Sequence, residues 1–300
     1  RITSNIAQIN SLYYKSMNIK LPYMEKSGES QISVFSKTHF IATTVTNYLI
    51  SEKGGFFVND AVSFLLRLGS NFLNVADTFL SIAKTKKDTN SAFALFRVQA
   101  DYLATLLLIF EGKSEDETKF RYLLYLLDGV SQRADSLEVI PQYNNDISQE
   151  DYNALVTQMT NAKQNAETIL DFCYEAIDKL PYKTINPTLF DKIVKNKQWK
   201  YKEFTNEKTS YEFYQWKDLY PLIDKRPDVA SFISLCSHYV HGNVNSLLSD
   251  IDEDAFDPII HFNTVLIIRY IKMLKVLWGE DRINDIIEFC LFGVTIKIGE

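Results

Sequence analysis

SQEDYNALVTQMTNAKQNAETILDFC, residues 148–173, decides the fold. Ser148-Gln149-Glu150-Asp151 is an S-x-x-D start signal: a serine hydroxyl placed to cap the first free amides of a helix, with carboxylates in its first turn. Behind it Tyr152, Leu155, Met159, Ala162, Ala166, Ile169 and Cys173 recur at three- and four-residue spacing. That puts them on one side of a helix, because 3.6 residues complete a turn. The pattern predicts a helix over 148–180 with this stripe as a core face.

Outward from this stretch the same period recurs and convincing period-two runs are scarce, so the chain reads as an all-α, multi-helix bundle. Expected helices cover 3–18, 36–52, 57–84, 90–111, 115–139, 148–180, 188–197, 208–217, 228–241, 255–278 and 280–291. The 57–84 helix is expected to break at Gly69-Ser70. Pro22, Pro141, Pro181, Pro187, Pro221 and Pro227 fall between these segments, where a missing N–H does no harm, and Pro258 falls early in its own. Gly112 and Gly279 follow apolar runs, as helix C-termini prefer. Residues 21–34 read as a loop, and 181–227 as a long aromatic-rich connection of the kind that forms lids or binding loops. Val294-Thr-Ile-Lys-Ile is a possible short strand. A boundary near residue 88 would separate an N-terminal helical segment, 1–88, from a bundle over 89–300.

The chain has 300 residues, enough to bury a sizeable core, and 46% hydrophobic with 23% charged residues is a globular composition. A net charge of −6 argues against a surface coated for nucleic acid. Cys173, Cys236 and Cys290 lie far apart without C-x-x-C spacing, as reduced thiols in a cytoplasmic protein would. No charged-then-apolar leader opens the sequence. Pro258–Trp278 has the length of a membrane helix but carries His261, Asn263, Arg269, Lys272 and Lys275, so no membrane association is expected. Phosphate-binding glycine loops, nucleophile elbows and H-E-x-x-H are missing, and no cofactor is expected.

Two segments carry polar groups on core-forming helices. In SLCSHYVHGNVNSLL, residues 234–248, His238 and His241 share a face with Ser231 and Ser234, beside an apolar face of Phe232, Leu235 and Tyr239. Gly242 and Asn243 follow at once. Imidazoles there suit proton transfer near neutral pH, or simply hydrogen bonds to neighbouring helices. No Cys, Asp or Glu stands at ligand spacing, so no metal site is expected. In SAFALFRVQADYLATLLLIFEG, residues 91–112, Arg97 falls on a face with Phe93, Ala100 and Ala104. A guanidinium placed there needs a partner, and Asp101 one turn on can supply it.

Together these segments resemble the HEPN superfamily, in particular its large branch of stand-alone bacterial helical proteins. The matching pieces are Leu95-Phe96-Arg97-Val98-Gln99-Ala100-Asp101, Tyr122-Leu123-Leu124-Tyr125-Leu126-Leu127 and Ser237-His238-Tyr239-Val240-His241-Gly242, within residues 90–250. The resemblance implies a helical bundle, often dimeric, of defence or stress type. Many members are metal-independent ribonucleases whose motif is an arginine, four to six residues, then a histidine. His241 matches that histidine, while the arginine positions hold Ser234, Leu235 and Cys236. Under this reading His241 is general acid or base, Arg97 stabilises phosphoryl charge from another helix, Asp101 orients Arg97, and His238 with Ser234 and Asn243 completes the pocket. The alternative is an inactive module that binds a nucleotide, an RNA or a partner protein. In DKIVKNKQWKYKEF, residues 191–204, lysines alternate with Trp199 and Tyr201, so Lys200 and Trp199 are candidates for phosphate and base contact, if the aromatics are exposed.

Overall fold

A computed structural model of the chain describes residues 30–240 and 256–292, apart from 56, 58, 86, 87, 139–141 and 145. Its elements are α1 (Gln31–Lys53), α2 (Ala61–Thr85), α3 (Thr89–Phe110), α4 (Glu115–Ser136), α5 (Gln149–Asp178), α6 (Tyr182–Ile185), α7 (Pro187–Lys195), α8 (Trp216–Ile223), α9 (Pro227–Val240), α10 (Phe256–Trp278) and α11 (Glu280–Phe292). Among the described residues the extended structure amounts to one antiparallel bridge, Tyr201 to Phe213. The expected all-α bundle is what forms. The expected 3–18 helix and the strand near 294 lie outside the described residues.

Two compact units share the chain. One is built from helices before Glu111 and after Trp216, the other from Gly112–Gln215. The division therefore runs at 112 and 215, and residue 88 falls inside the first unit. There Asp88 caps α3, its carboxylate accepting from Ser91 N at 3.2 Å.

In the first unit α3 is the central helix and packs against α2, α8, α9 and α10. It is apolar nearly all round, with Phe93, Phe96, Ala100, Leu103, Ala104 and Ile109 each at most 1% exposed. Its length and composition would also suit a membrane crossing, yet 72% of its most apolar window is buried against its own neighbours. Phe96, Phe232 and Phe262 meet where α3, α9 and α10 converge, at centroid separations of 4.4 to 6.5 Å. Each such ring contributes about 1.5–3 kcal/mol by leaving water.

Gly69 does not break α2, which runs unbroken from Ala61 to Thr85. Instead Tyr270 of α10 comes down on it. A Cβ at position 69 would lie 2.2 Å from the Tyr270 hydroxyl, so only glycine admits the ring. That hydroxyl, buried and shared with Thr46 Oγ1 of α1 at 3.0 Å, ties three helices at one point. Burial also pushes its pKa up.

Pro221 sits inside the short α8 rather than between elements. The end of that helix is held from outside: Arg269 of α10 donates to Leu222 O at 3.1 Å and forks onto Glu111 at 2.7 and 2.5 Å.

The second unit is the α4–α5 hairpin with α6, α7 and residues 196–215 folded over its base. Ser148 caps α5 as its sequence predicts, accepting from Asp151 N at 3.1 Å and donating to the Asp151 carboxylate at 2.7 Å. The core-face expectation for this helix holds only at its C-terminal end. Ala166, Cys173 and Ile177 are buried, while Leu155 is 38% exposed and no residue from Gln149 to Asn165 is buried.

Residues 208–215 are not helical. Asn186 donates to the carbonyls of Thr205 and Lys208, both at 2.8 Å, and Lys192 donates to that of Thr209. Lys202 N donates to Glu212 O and Tyr214 N to Lys200 O, each at 2.8 Å. With their backbone partners supplied elsewhere, these residues do not need a helical ladder.

Candidate functional site

α3 brings Arg97 to α9. Phe93 stacks on Tyr239 with centroids 4.4 Å apart and also meets Phe232, so the ring one turn before the arginine packs the two helices together. Arg97 Nε donates to Ser237 Oγ at 2.7 Å, and the guanidinium forms an ion pair with Asp101 one turn along. The rings of Tyr220 and Trp216 lie 5.0 and 5.9 Å from the guanidinium carbon. Tyr220 also donates to Asp101 at 3.5 Å. Burial, and then the Asp101 carboxylate, push the Tyr220 hydroxyl pKa up, so it stays a neutral donor. The Arg97 side chain is 11% exposed and that of Asp101 31%, so the carboxylate is the more open half of the pair.

The expected site is thus partly assembled. Arg97 and Asp101 meet the expected helix, and the contact runs through Ser237, which the pattern of Ser231, Ser234 and His238 does not single out. Ser231 and Ser234 are exposed and His238 half-buried. His241 and Asn243 lie outside the described residues. Cys236 is fully buried in the same helix, its thiol pKa pushed up by burial. Arg226, the arginine next upstream of the histidines, folds onto Asp224 at 2.9 to 3.2 Å. Among the described residues no three His, Cys, Asp or Glu side chains gather into a group that would hold a metal ion.

The lysine–aromatic stripe in the second unit needs correction. Trp199 is only 5% exposed and Tyr201 1%, so neither ring offers a face to a base. Trp199 stands edge-to-face with Tyr125, and Lys200 lies over its ring at 5.6 Å. Lys202 pairs with Glu212. The aromatics turn inward because of Arg121, which is 1% exposed. Arg121 Nη1 donates to the carbonyls of Trp199 and Tyr201 at 3.0 and 2.8 Å, and Nε donates to Glu117 at 2.9 Å. Its guanidinium carbon lies 3.9 Å from the Tyr201 ring centre. A buried arginine this well satisfied is a clamp on the loop. Its sequence signal was Glu117 four residues ahead of Arg121 on one helix face, the acid-first order that suits the dipole.

Chemically, the Arg97 cluster is close to electrically balanced. A guanidinium already held by a carboxylate, a hydroxyl and two rings has less to offer a transition-state phosphate than an unpaired one. Comparison of the chain with family models, curated proteins and solved structures finds no significant match to any of the three.

Proposed function

We propose that the chain is a HEPN-like helical module that works by binding a partner protein rather than by cutting RNA. The observation that supports this reading is the commitment of Arg97 to Asp101 and Ser237, with Tyr220 and Trp216 over it. In this role Arg97 locks α3 to α9 and so sets the position of the α9 end that carries His238. The net charge of −6 and the inward-facing Trp199 and Tyr201 agree with a protein partner better than with a polyanion.

The test compares purified wild-type chain with His241→Ala and Arg97→Ala on labelled RNA, followed by both cleavage and retention. The expected outcome is no cleavage that depends on either residue. Strand scission lost in both variants points to a ribonuclease and overturns the reading. Salt-sensitive RNA retention without scission replaces a protein partner with an RNA one.

A further inference from the structure

Gln99 of α3 and Asn263 of α10 are both fully buried. Among the described residues, neither the oxygen nor the nitrogen of either carboxamide has a hydrogen-bond partner. Nearby polar groups are satisfied within their own helices: Thr264 donates to Ile260 O at 2.9 Å and Thr105 to Asp101 O at 2.8 Å. A carboxamide offers two N–H donors and an oxygen with two lone pairs. Stripping two of them of water without replacement is costly, and folded cores leave few such groups unserved. Gln99 lies two residues on from Arg97, which turns it away from α9 and the arginine cluster.

The two amides come to one level of the first unit. α2 ends at Thr85 and α3 begins at Thr89, and the two pack as an antiparallel pair. Ala76 stands about as far before that junction as Gln99 stands after it, so the two come side by side. α10 is anchored twice: Tyr270 lies on Gly69 and Phe72 of α2, and Phe262 meets Phe96 of α3. Phe96 is nearer the junction than Gly69 is, so α10 runs antiparallel to α2. Asn263 is two turns before Tyr270 on one face of α10, and Ala76 is two turns after Gly69 on one face of α2. Asn263 therefore comes opposite Ala76, and Gln99, one turn past Phe96, borders the same space.

Side chains are small at this level. Where the Tyr270 ring fills the contact with Gly69, the next level carries Asn263 against the methyl group of Ala76. On α1, Ala42 stands one turn before Thr46, the residue that bonds Tyr270. Both alanines are fully buried.

We propose that Gln99 and Asn263 form a binding site for buried water, held between α3 and α10 at the level of Ala76. The occupant must be neutral, since neither amide can balance an ion, and it must both donate and accept. Water meets both demands, and it is small enough for a site whose two amides are both fully buried. Bridging the amides, it serves donors and acceptors that do not bond each other. It also ties the register of α10 to that of α3, because this pairing of the helices brings both amides to one water. The site is separate from the Arg97 cluster, and the loss of either leaves the other standing.

Solvent-edited NOE spectroscopy of the isotope-labelled full chain reads the site directly. Gln99→Met and Asn263→Leu, each close in volume to the native side chain, assign the two carboxamide NH2 groups by removing them. In the wild-type chain both groups should show cross-peaks to water, with the sign given by a long-lived bound molecule. In Asn263→Leu the water cross-peak of Gln99 should lose most of its intensity, and in Gln99→Met that of Asn263 likewise. No water cross-peak at either group in the wild-type chain overturns the proposal, whether the amides then bond each other or hold a different molecule. Water cross-peaks that each survive loss of the other amide also overturn it, since the water is then not shared. Should a variant fail to fold, assignment of the same NH2 groups through the wild-type backbone resonances leaves the first of these outcomes decisive.

Discussion

Gly69→Ala is the sharpest perturbation of the first unit. At an ordinary mid-helix position this change stabilises, by about 1 kcal/mol of helix propensity. Here the new methyl would sit 2.2 Å from Tyr270 Oη and 2.9 Å from Cζ, well inside the distance at which carbon and oxygen repel. Tyr270 is buried against Phe72 at 5.2 Å, so the ring has little room to retreat. Overpacking of this kind costs about 1–3 kcal/mol. Displacing the hydroxyl from Thr46 adds about 1–3 kcal/mol for a buried polar group left without its partner. The net expectation is destabilisation by about 2 kcal/mol, seen in denaturant melts as a lower midpoint at unchanged slope. Tyr270→Phe in the same background removes the atom that clashes worst and should recover part of the loss, giving a coupling of about 1 kcal/mol in the double-mutant cycle. Stabilisation by Gly69→Ala, or strict additivity with Tyr270→Phe, would refute the placement of Tyr270 on Gly69.

Three further outcomes are expected. Arg121→Met should destabilise the second unit by about 3–5 kcal/mol, because it strands the Trp199 and Tyr201 carbonyls, and quenching of Trp199 by iodide should rise as the loop opens. Asn186→Ala removes the α7 cap to Leu189 N together with the bonds to Thr205 and Lys208, and should cost about 2–3 kcal/mol by urea denaturation. Burial pushes the Cys173 thiol pKa up to about 11 from an ordinary value of 9.0, and burial followed by Glu117 and Asp116 pushes Tyr182 up to about 12 from 10.0. Both groups are held neutral by the fold, so the stability tied to them is complete below their unfolded values and is lost as pH climbs from about 9 towards 12. Cys173→Ala should flatten the part of that decline between 9 and 11 in melts followed by circular dichroism.

The sequence made the helices legible wherever a cap and a stripe agreed, as at Ser148 and along α5. Where it misled, a tertiary partner had replaced a local one. Gly69 reads as a break because only α10 shows why a glycine is needed there. Residues 208–217 read as a helix because nothing local announces that Asn186 and Lys192 take their carbonyls. Of the candidate site, the Arg97–Asp101 pair was visible as two charges one turn apart on an apolar helix. Ser237 stands in the matched piece without a role, since the serines that share a face with His238 are Ser231 and Ser234. The sequence does not single out Arg121, because an arginine one turn after a glutamate near a charged helix start looks like a surface pair, and its burial depends on a loop eighty residues away. Trp199 differs from its expected exposure for the same reason: lysines around an aromatic do not say which way the ring turns.

Arg97 is spent on holding α3 to α9 through Asp101 and Ser237. A double-mutant cycle of Arg97→Met and Asp101→Asn, measured by equilibrium unfolding, tests it most directly. Each single change should destabilise, and the pair should be coupled by about 1–3 kcal/mol, as for partly buried charges in contact. Single changes that leave stability untouched and add without coupling would contradict it, and would return the guanidinium to the role of a group kept available for a ligand.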